Sequence, residues 1–201
     1  ANGEWFRASR FVIEWSPTAL LGGEARIDQM TLKDGHLLRL PSTGSSGSVT
    51  GSDPSSVVGA AGEPPSPRVI NWPRSPIALT VGAMRISNMR VASSVLPGGI
   101  AFDAVGSLRD RGDQQSLTLV VTRVDDVVGT IDVQYRKRFD DNTLILQAKA
   151  NEGPSGLVAA LAGLPPNVPV RAALNAKGPP SDFNGTLDVA AQGMLEATGN
   201  V

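Results

Sequence analysis

The chain has no cysteine, which excludes a disulfide framework, a thiolate metal centre and a cysteine nucleophile. It has one histidine, His36. A Ser-His-Asp triad would have to use it, yet no local nucleophile signature is present, and histidine metal ligation lacks partners. His36 follows an Asp-Gly turn and reads as a strand residue near a hairpin. No sign of charge dominates: the net charge is -1 with both signs interspersed, so nothing draws the chain to nucleic acid. No apolar run approaches the ~20 residues of a membrane-spanning helix. Aromatic residues make up only 4%.

Glycine (22) and proline (15) are abundant by contrast, in a chain that is 41% hydrophobic. Short alternating runs punctuated by Gly, Pro, Asn and Asp predict an all-β fold. The segment "VVGTIDVQYRKR" (127–138) shows the pattern. Val127, Gly129, Ile131, Val133 and Tyr135 share one face; Val128, Thr130, Asp132, Gln134 and Arg136 share the other. Such a strand belongs to a sheet with one wet and one dry side, and something must cover the dry side.

The same reading extends along the chain. "EWFRASRFVIEW" sets Phe11, Ile13 and Trp15 against Arg10, Val12 and Glu14. "SPTALLGG" predicts one or two helical turns, with Ser16 as N-cap, Pro17 at the first helical position and Gly22 as C-terminal cap. "EARIDQMTL" turns at Asp34-Gly35 and returns as "HLLRLP", a hairpin signal. Residues 42–68 change character: Ser, Gly and Pro prevail with little to bury, which predicts a flexible surface excursion. No Gly-Lys-Ser/Thr follows it, so a phosphate loop is excluded. From Pro76 the runs resume as a meander of adjacent antiparallel strands. One short helix, "SGLVAALAGLPP", interrupts them, with Ser155 as its cap.

The inward positions are often small: Ala104, Gly106, Gly129, Ala148, Ala150, Ala172 and Ala176. A sandwich core is filled by larger side chains, so this make-up predicts a curved sheet around a groove. Other features have plain readings. Asp125-Asp126 and Asp140-Asp141 suit turns, where Asp bonds its own backbone, better than glycosidase or calcium chemistry. Arg111-Gly112-Asp113 spells an adhesion tripeptide but sits where a turn needs those residues. "YRKR" at 135–138 reads as a solvated strand end. The sequence therefore predicts no enzyme, no metal site and no cofactor.

Two segments carry a family likeness. "WSPTALLGGEARIDQMTLKDGHLLRLP" (15–41) contains Trp15-Ser16-Pro17, Leu20-Leu21, Gly23, Ile27 and Arg39-Leu40-Pro41. "NEGPSGLVAALAGLPPNVPVRAALNAKGPPSDFNGTLDVAAQG" (151–193) contains Glu152, Gly156-Leu157, Leu161, Leu164-Pro165, Gly178-Pro179 and Gly185-Thr186-Leu187. In order and spacing these resemble the amino-terminal periplasmic region of the TamB family of translocation and assembly proteins, within the AsmA-like group. The likeness spans nearly the whole chain outside the Ser/Gly/Pro stretch, which looks like an insertion.

The resemblance implies a long, taco-like antiparallel sheet that shields phospholipid acyl chains between inner and outer membranes. It also implies a periplasmic location, an inner-membrane anchor upstream of Ala1, and a link to an outer-membrane barrel partner through regions outside this segment. In that frame residues 1–41 supply the first strands of the groove, 42–68 the excursion and 69–201 the continuing sheet. The expected lining is Phe11, Ile13, Trp15, Ile100, Phe102, Leu108, Val127, Ile131, Val133, Tyr135, Leu144, Leu146, Val170, Leu174, Leu187 and Val189. Two other readings stand beside it: a scaffold whose groove is packed shut and which acts through protein contacts in barrel assembly, and an adhesin-like β-domain.

Overall fold

A computed structural model describes residues 4–40, 77–96, 98–161, 163–179, 182–191 and 195–200; the excursion predicted at 42–68 lies outside them. Twelve strands among the described residues form one curved, unclosed, mostly antiparallel sheet. They are β1 (Phe6–Arg7), β2 (Arg10–Ser16), β3 (Glu24–Lys33), β4 (His36–Leu37), β5 (Ala78–Val91) and β6 (Ile100–Asp110), followed by β7 (Gln114–Arg123), β8 (Gly129–Arg138), β9 (Leu144–Glu152), β10 (Val170–Gly178), β11 (Asn184–Ala191) and β12 (Leu195–Asn200). Among the described residues the helical content is a 3-10 turn at Pro17–Gly22 and the short helix α1 (Leu157–Leu161).

From β5 to β12 each strand pairs antiparallel with the next, the meander that the short polar connections predict. Gly112 at φ +83 turns the chain between β6 and β7, and Asn142 at φ +54 does so between β8 and β9.

The amino-terminal strands depart from that pattern. The predicted hairpin at Asp34-Gly35 does not form: β3 pairs antiparallel with β2, and both β3 and β4 run parallel to β5. Asp34-Gly35 is instead an offset in a line of chain that β5 holds on either side. The Asp34 N–H donates to the Ser87 carbonyl and the Arg90 N–H to the Gly35 carbonyl. Asn88 Nδ2 and Ser9 Oγ, each at 2.7 Å, donate to the Asp34 carboxylate and hold its pKa below the usual carboxylate range. Gly35 lets the Met89 side chain pack against the backbone, since a Cβ there would sit 2.5 Å from the Met89 sulfur and displace it. Fourteen residues of β5 thus offer one edge long enough for two short strands.

Local capping also differs from the sequence reading. The Ser16 hydroxyl makes no cap bond to the 3-10 turn and donates to Asp28 instead; Gly23, at φ +76, rather than Gly22, closes the turn. Ser155 does not cap α1. Its hydroxyl donates to the Pro166 carbonyl, and the Glu152 carboxylate accepts the Val158 N–H at 2.6 Å. Register shifts at Glu14/Trp15 in β2–β3, and at Val81/Met84 and Ile86/Met89 in β5–β6, mark bulges that bend the strands carrying them.

Fully buried side chains are few. One cluster, Ala159, Val168, Val170 and Ala191, lies where α1 and the loop after it meet β10 and β11, with Val158, Leu164 and Val189 against it.

Candidate functional site: an apolar strip across the sheet

Residues paired directly across neighbouring strands share a face, so the register fixes the faces without reference to side-chain chemistry. One row runs Trp15–Ile27–Val81–Leu108–Leu117–Tyr135–Leu146–Ala176. The next runs Ile13–Met30–Met84–Gly106–Leu119–Val133–Ala148–Leu174–Leu187. A third runs Phe11–Leu32–Ile86–Ala104–Val121–Ile131–Ala150–Ala172–Val189. Every residue in these rows is apolar or tyrosine. The strip is about 20 Å wide at roughly 6.7 Å per row and crosses nine strands, about 38 Å at 4.8 Å per spacing.

Fifteen of the sixteen candidate residues fall on this face by register. Phe11, Ile13, Trp15, Leu108, Ile131, Val133, Tyr135, Leu146, Leu174, Leu187 and Val189 stand in the three rows. Ile100, Phe102, Leu144 and Val170 lie on the same face nearer its margins. Val127 is the exception. β8 begins at Gly129, and Val127 sits in the preceding bend, where its N–H bonds the Asp125 carboxylate. The small residues Ala104, Gly106, Gly129, Ala148, Ala150, Ala172 and Ala176 also take this face.

Beyond sheet neighbours, the packing is that of the 3-10 turn on β3 and of α1 beside β9. No second sheet lies over the strip among the described residues. Phe11, Ile13 and Trp15 are 57%, 44% and 52% exposed. Toward β10 and β11 the same face is closed, with Val170 and Ala191 each 1% exposed beneath the α1 segment.

Both margins of the strip are polar. At one, Asp110, Gln115 and Lys137 continue the inward alternation of β6, β7 and β8. Gln115 Nε2 and the Gly112 N–H donate to Asp110, the Tyr135 hydroxyl donates to Gln115 Oε1 at 3.3 Å, and Lys137 Nζ donates to the Asn142 carbonyl at 2.6 Å. Burial, with the Asp110 carboxylate adding to it, pushes the Tyr135 pKa up. In the basic run at 135–138, Arg136 and Arg138 are exposed as a solvated strand end would be, whereas Lys137 is 1% exposed and departs from that reading.

At the other margin Arg123 pairs with Asp125 at 2.8 Å and with Glu152 at 3.4 Å. Burial raises the Asp125 pKa, but hydrogen bonds from Arg123 and from the Ala101 and Val127 N–H groups outweigh it and leave the carboxyl below its usual range. The Arg123 pKa rises, chiefly through its bond to Asp125.

Sequence reasoning missed Lys137 and Glu152, although each is in phase with the apolar residues of its own strand. It also left out Leu117, Leu119, Val121, Met30 and Met84, which the alternation of β7, β3 and β5 places on the strip.

The remaining motifs behave as turns. Asp140 accepts from Arg138 and from the Asp141 N–H, and Asp125 from its neighbours as above. Arg111, Gly112 and Asp113 form the exposed β6–β7 connection. His36 is half-buried in β4, opposite Arg7 and Arg90. Among the described residues no group of three or more His, Asp or Glu side chains could hold a metal ion, and no helix is long and apolar enough to cross a membrane. No protein-family model, curated protein or solved structure matches this chain.

Proposed function

We propose that this chain is a lipid-shielding segment of a TamB-like envelope protein, a carrier rather than a catalyst, in which acyl chains of phospholipid lie along the apolar strip. The supporting observation is a continuous dry face, three rows wide, with no protein layer among the described residues over its β2–β8 portion. That portion crosses six strands, about 24 Å, which exceeds the ~15 Å thickness of one leaflet's hydrocarbon. Acyl chains can therefore lie along it in series, and movement from row to row breaks no specific bond. The polar margins keep that path to the middle of the strands. In this reading the protein works in the periplasm between the two membranes, anchored to the inner one, with an outer-membrane barrel as partner through other regions.

The test combines photocrosslinking from Val133 with the Ile131→Asp substitution. Phospholipid is expected on Val133, and Ile131→Asp should abolish that crosslink while the melting temperature falls only a few degrees. Water can follow the new carboxylate into an open trough, whereas a sealed core makes an unpaired charge cost several kcal/mol. Global unfolding of Ile131→Asp, with no lipid on Val133 in the native chain, would favour the packed-shut scaffold. Asp132→Ile, on the other face, should change neither reading.

A further inference from the structure

The opposite face of the sheet carries a second feature, independent of the apolar strip. One row there runs Arg26–Thr80–Arg109–Ser116–Arg136–Ile145–Lys177–Asn184, with no acidic side chain in it. The adjoining row is uncharged and rich in hydrogen-bonding groups: Ser107–Thr118–Gln134–Gln147–Asn175–Thr186. Between them lies a depression of about 520 Å³ whose lining includes Arg109, Ser116, Arg136, Ser107, Thr118 and Gln134, beside apolar residues such as Ile145 and Tyr135. That volume is in the range of small-molecule sites.

Arg109 and Arg136 flank Ser116 directly, one strand away on either side. Neither guanidinium has an ion pair or side-chain hydrogen bond among the described residues, and both are exposed. Three other arginines are neutralised: Arg26 by Asp28, Arg123 by Asp125 and Glu152, Arg138 by Asp140 and Asp141. Two like charges held about 10 Å apart across two strands repel, and a shared counter-anion relieves that repulsion. Guanidinium groups match phosphate oxygens bidentately, and the Ser116 and Thr118 hydroxyls add neutral donors beneath.

We propose that Arg109, Arg136 and Ser116 form a binding site for a phosphate group on the polar face. The group can come from a soluble phosphate or from a lipid headgroup presented at a membrane surface, and the chemistry of recognition is the same.

Two probes separate these sources: inorganic phosphate, followed by amide chemical-shift changes, and vesicles of phosphatidylglycerol compared with phosphatidylcholine. Saturable binding with shifts confined to residues 107, 109, 116, 118, 134 and 136 is expected. Arg109→Gln and Arg136→Gln should each weaken it about 10-fold or more, the worth of a charge-assisted hydrogen bond. Arg85→Gln, an exposed arginine on the same face outside the depression, should leave it unchanged. Binding of free phosphate assigns a soluble ligand; binding only of phosphatidylglycerol vesicles assigns a headgroup. Ser116→Glu places a carboxylate between the two arginines, so it should abolish binding and raise the melting temperature in low salt. That rise should vanish when Arg109 and Arg136 are both glutamine. Absence of binding to both probes, or an Arg85→Gln loss equal to that of Arg109→Gln, would overturn the site.

Discussion

The two ends of the sheet solve the same problem differently. At the β2 end the dry face is bare: Phe11, Ile13 and Trp15 stand about half exposed. That end is joined to the sheet by a parallel pairing, which a tight turn cannot make. At the β10–β11 end the same face is sealed by the α1 segment on Val170 and Ala191, and the strands are joined by short antiparallel connections. The difference teaches that coverage here is local. A single buried carboxylate, Glu152, holds the covering segment in place, bonding Arg123 on one side and the Val158 N–H on the other.

The largest effect should come from the connection at the open end. β4 ends beside Val91, whereas β5 begins at Ala78, so the chain between them must return about 40 Å along β5. Deleting residues 42–68 outright leaves about a dozen residues, which at ~3.5 Å each only just reach. That deletion should detach β3 and β4, seen as loss of amide protection in 24–37. Replacing the stretch by a flexible linker of about ten residues should restore it, since longer loops add little closure cost.

A second contrast sets Val170→Asp against Phe11→Asp. Val170 is 1% exposed and Phe11 57% exposed. The first should cost about 3–5 kcal/mol, an unpaired charge under the α1 segment, and the second about 1 kcal/mol or less in urea unfolding. Equal costs would mean that the open end is covered in solution.

Glu152→Ala sharpens the comparison further. Its side chain is fully buried, so the change should cost about 2–4 kcal/mol and speed hydrogen exchange at Val158 while the β6–β8 amides stay protected.

The smallest effect is expected from Asp125→Asn, at about 1–2 kcal/mol near neutral pH. The folded pKa of Asp125 is lowered, so its stabilisation is present above the unfolded value of about 3.9 and is lost as pH falls through the folded value. The gap between native and Asp125→Asn stabilities should therefore close below about pH 4.

The sequence by itself determined which side chains share a face. That is a local property, set by a period of two along each strand. It placed Phe11, Val133 and Leu187 together although they lie on strands far apart in the chain. It also marked the β5–β12 meander, because most connections there are too short for anything but an antiparallel neighbour; the β9–β10 link, residues 153–169 with α1 in it, is the long one.

Three things waited on tertiary structure. The Asp34-Gly35 turn signal was overridden because β5, starting more than forty residues later, offers hydrogen bonds to the chain on both sides of it. Val127 fell outside β8 because Asp125 captures its N–H in a bend. Lys137 and Glu152, polar residues in an apolar phase, were buried because the β8–β9 turn brings Asn142, strand β7 brings Arg123 and the turn into α1 brings the Val158 amide to them. Alternation along a strand fixes which way a side chain points, but the partner it meets there depends on how the chain folds back: Asn142 and Val158 return from turns five and six residues away, and Arg123 from a strand 29 residues away.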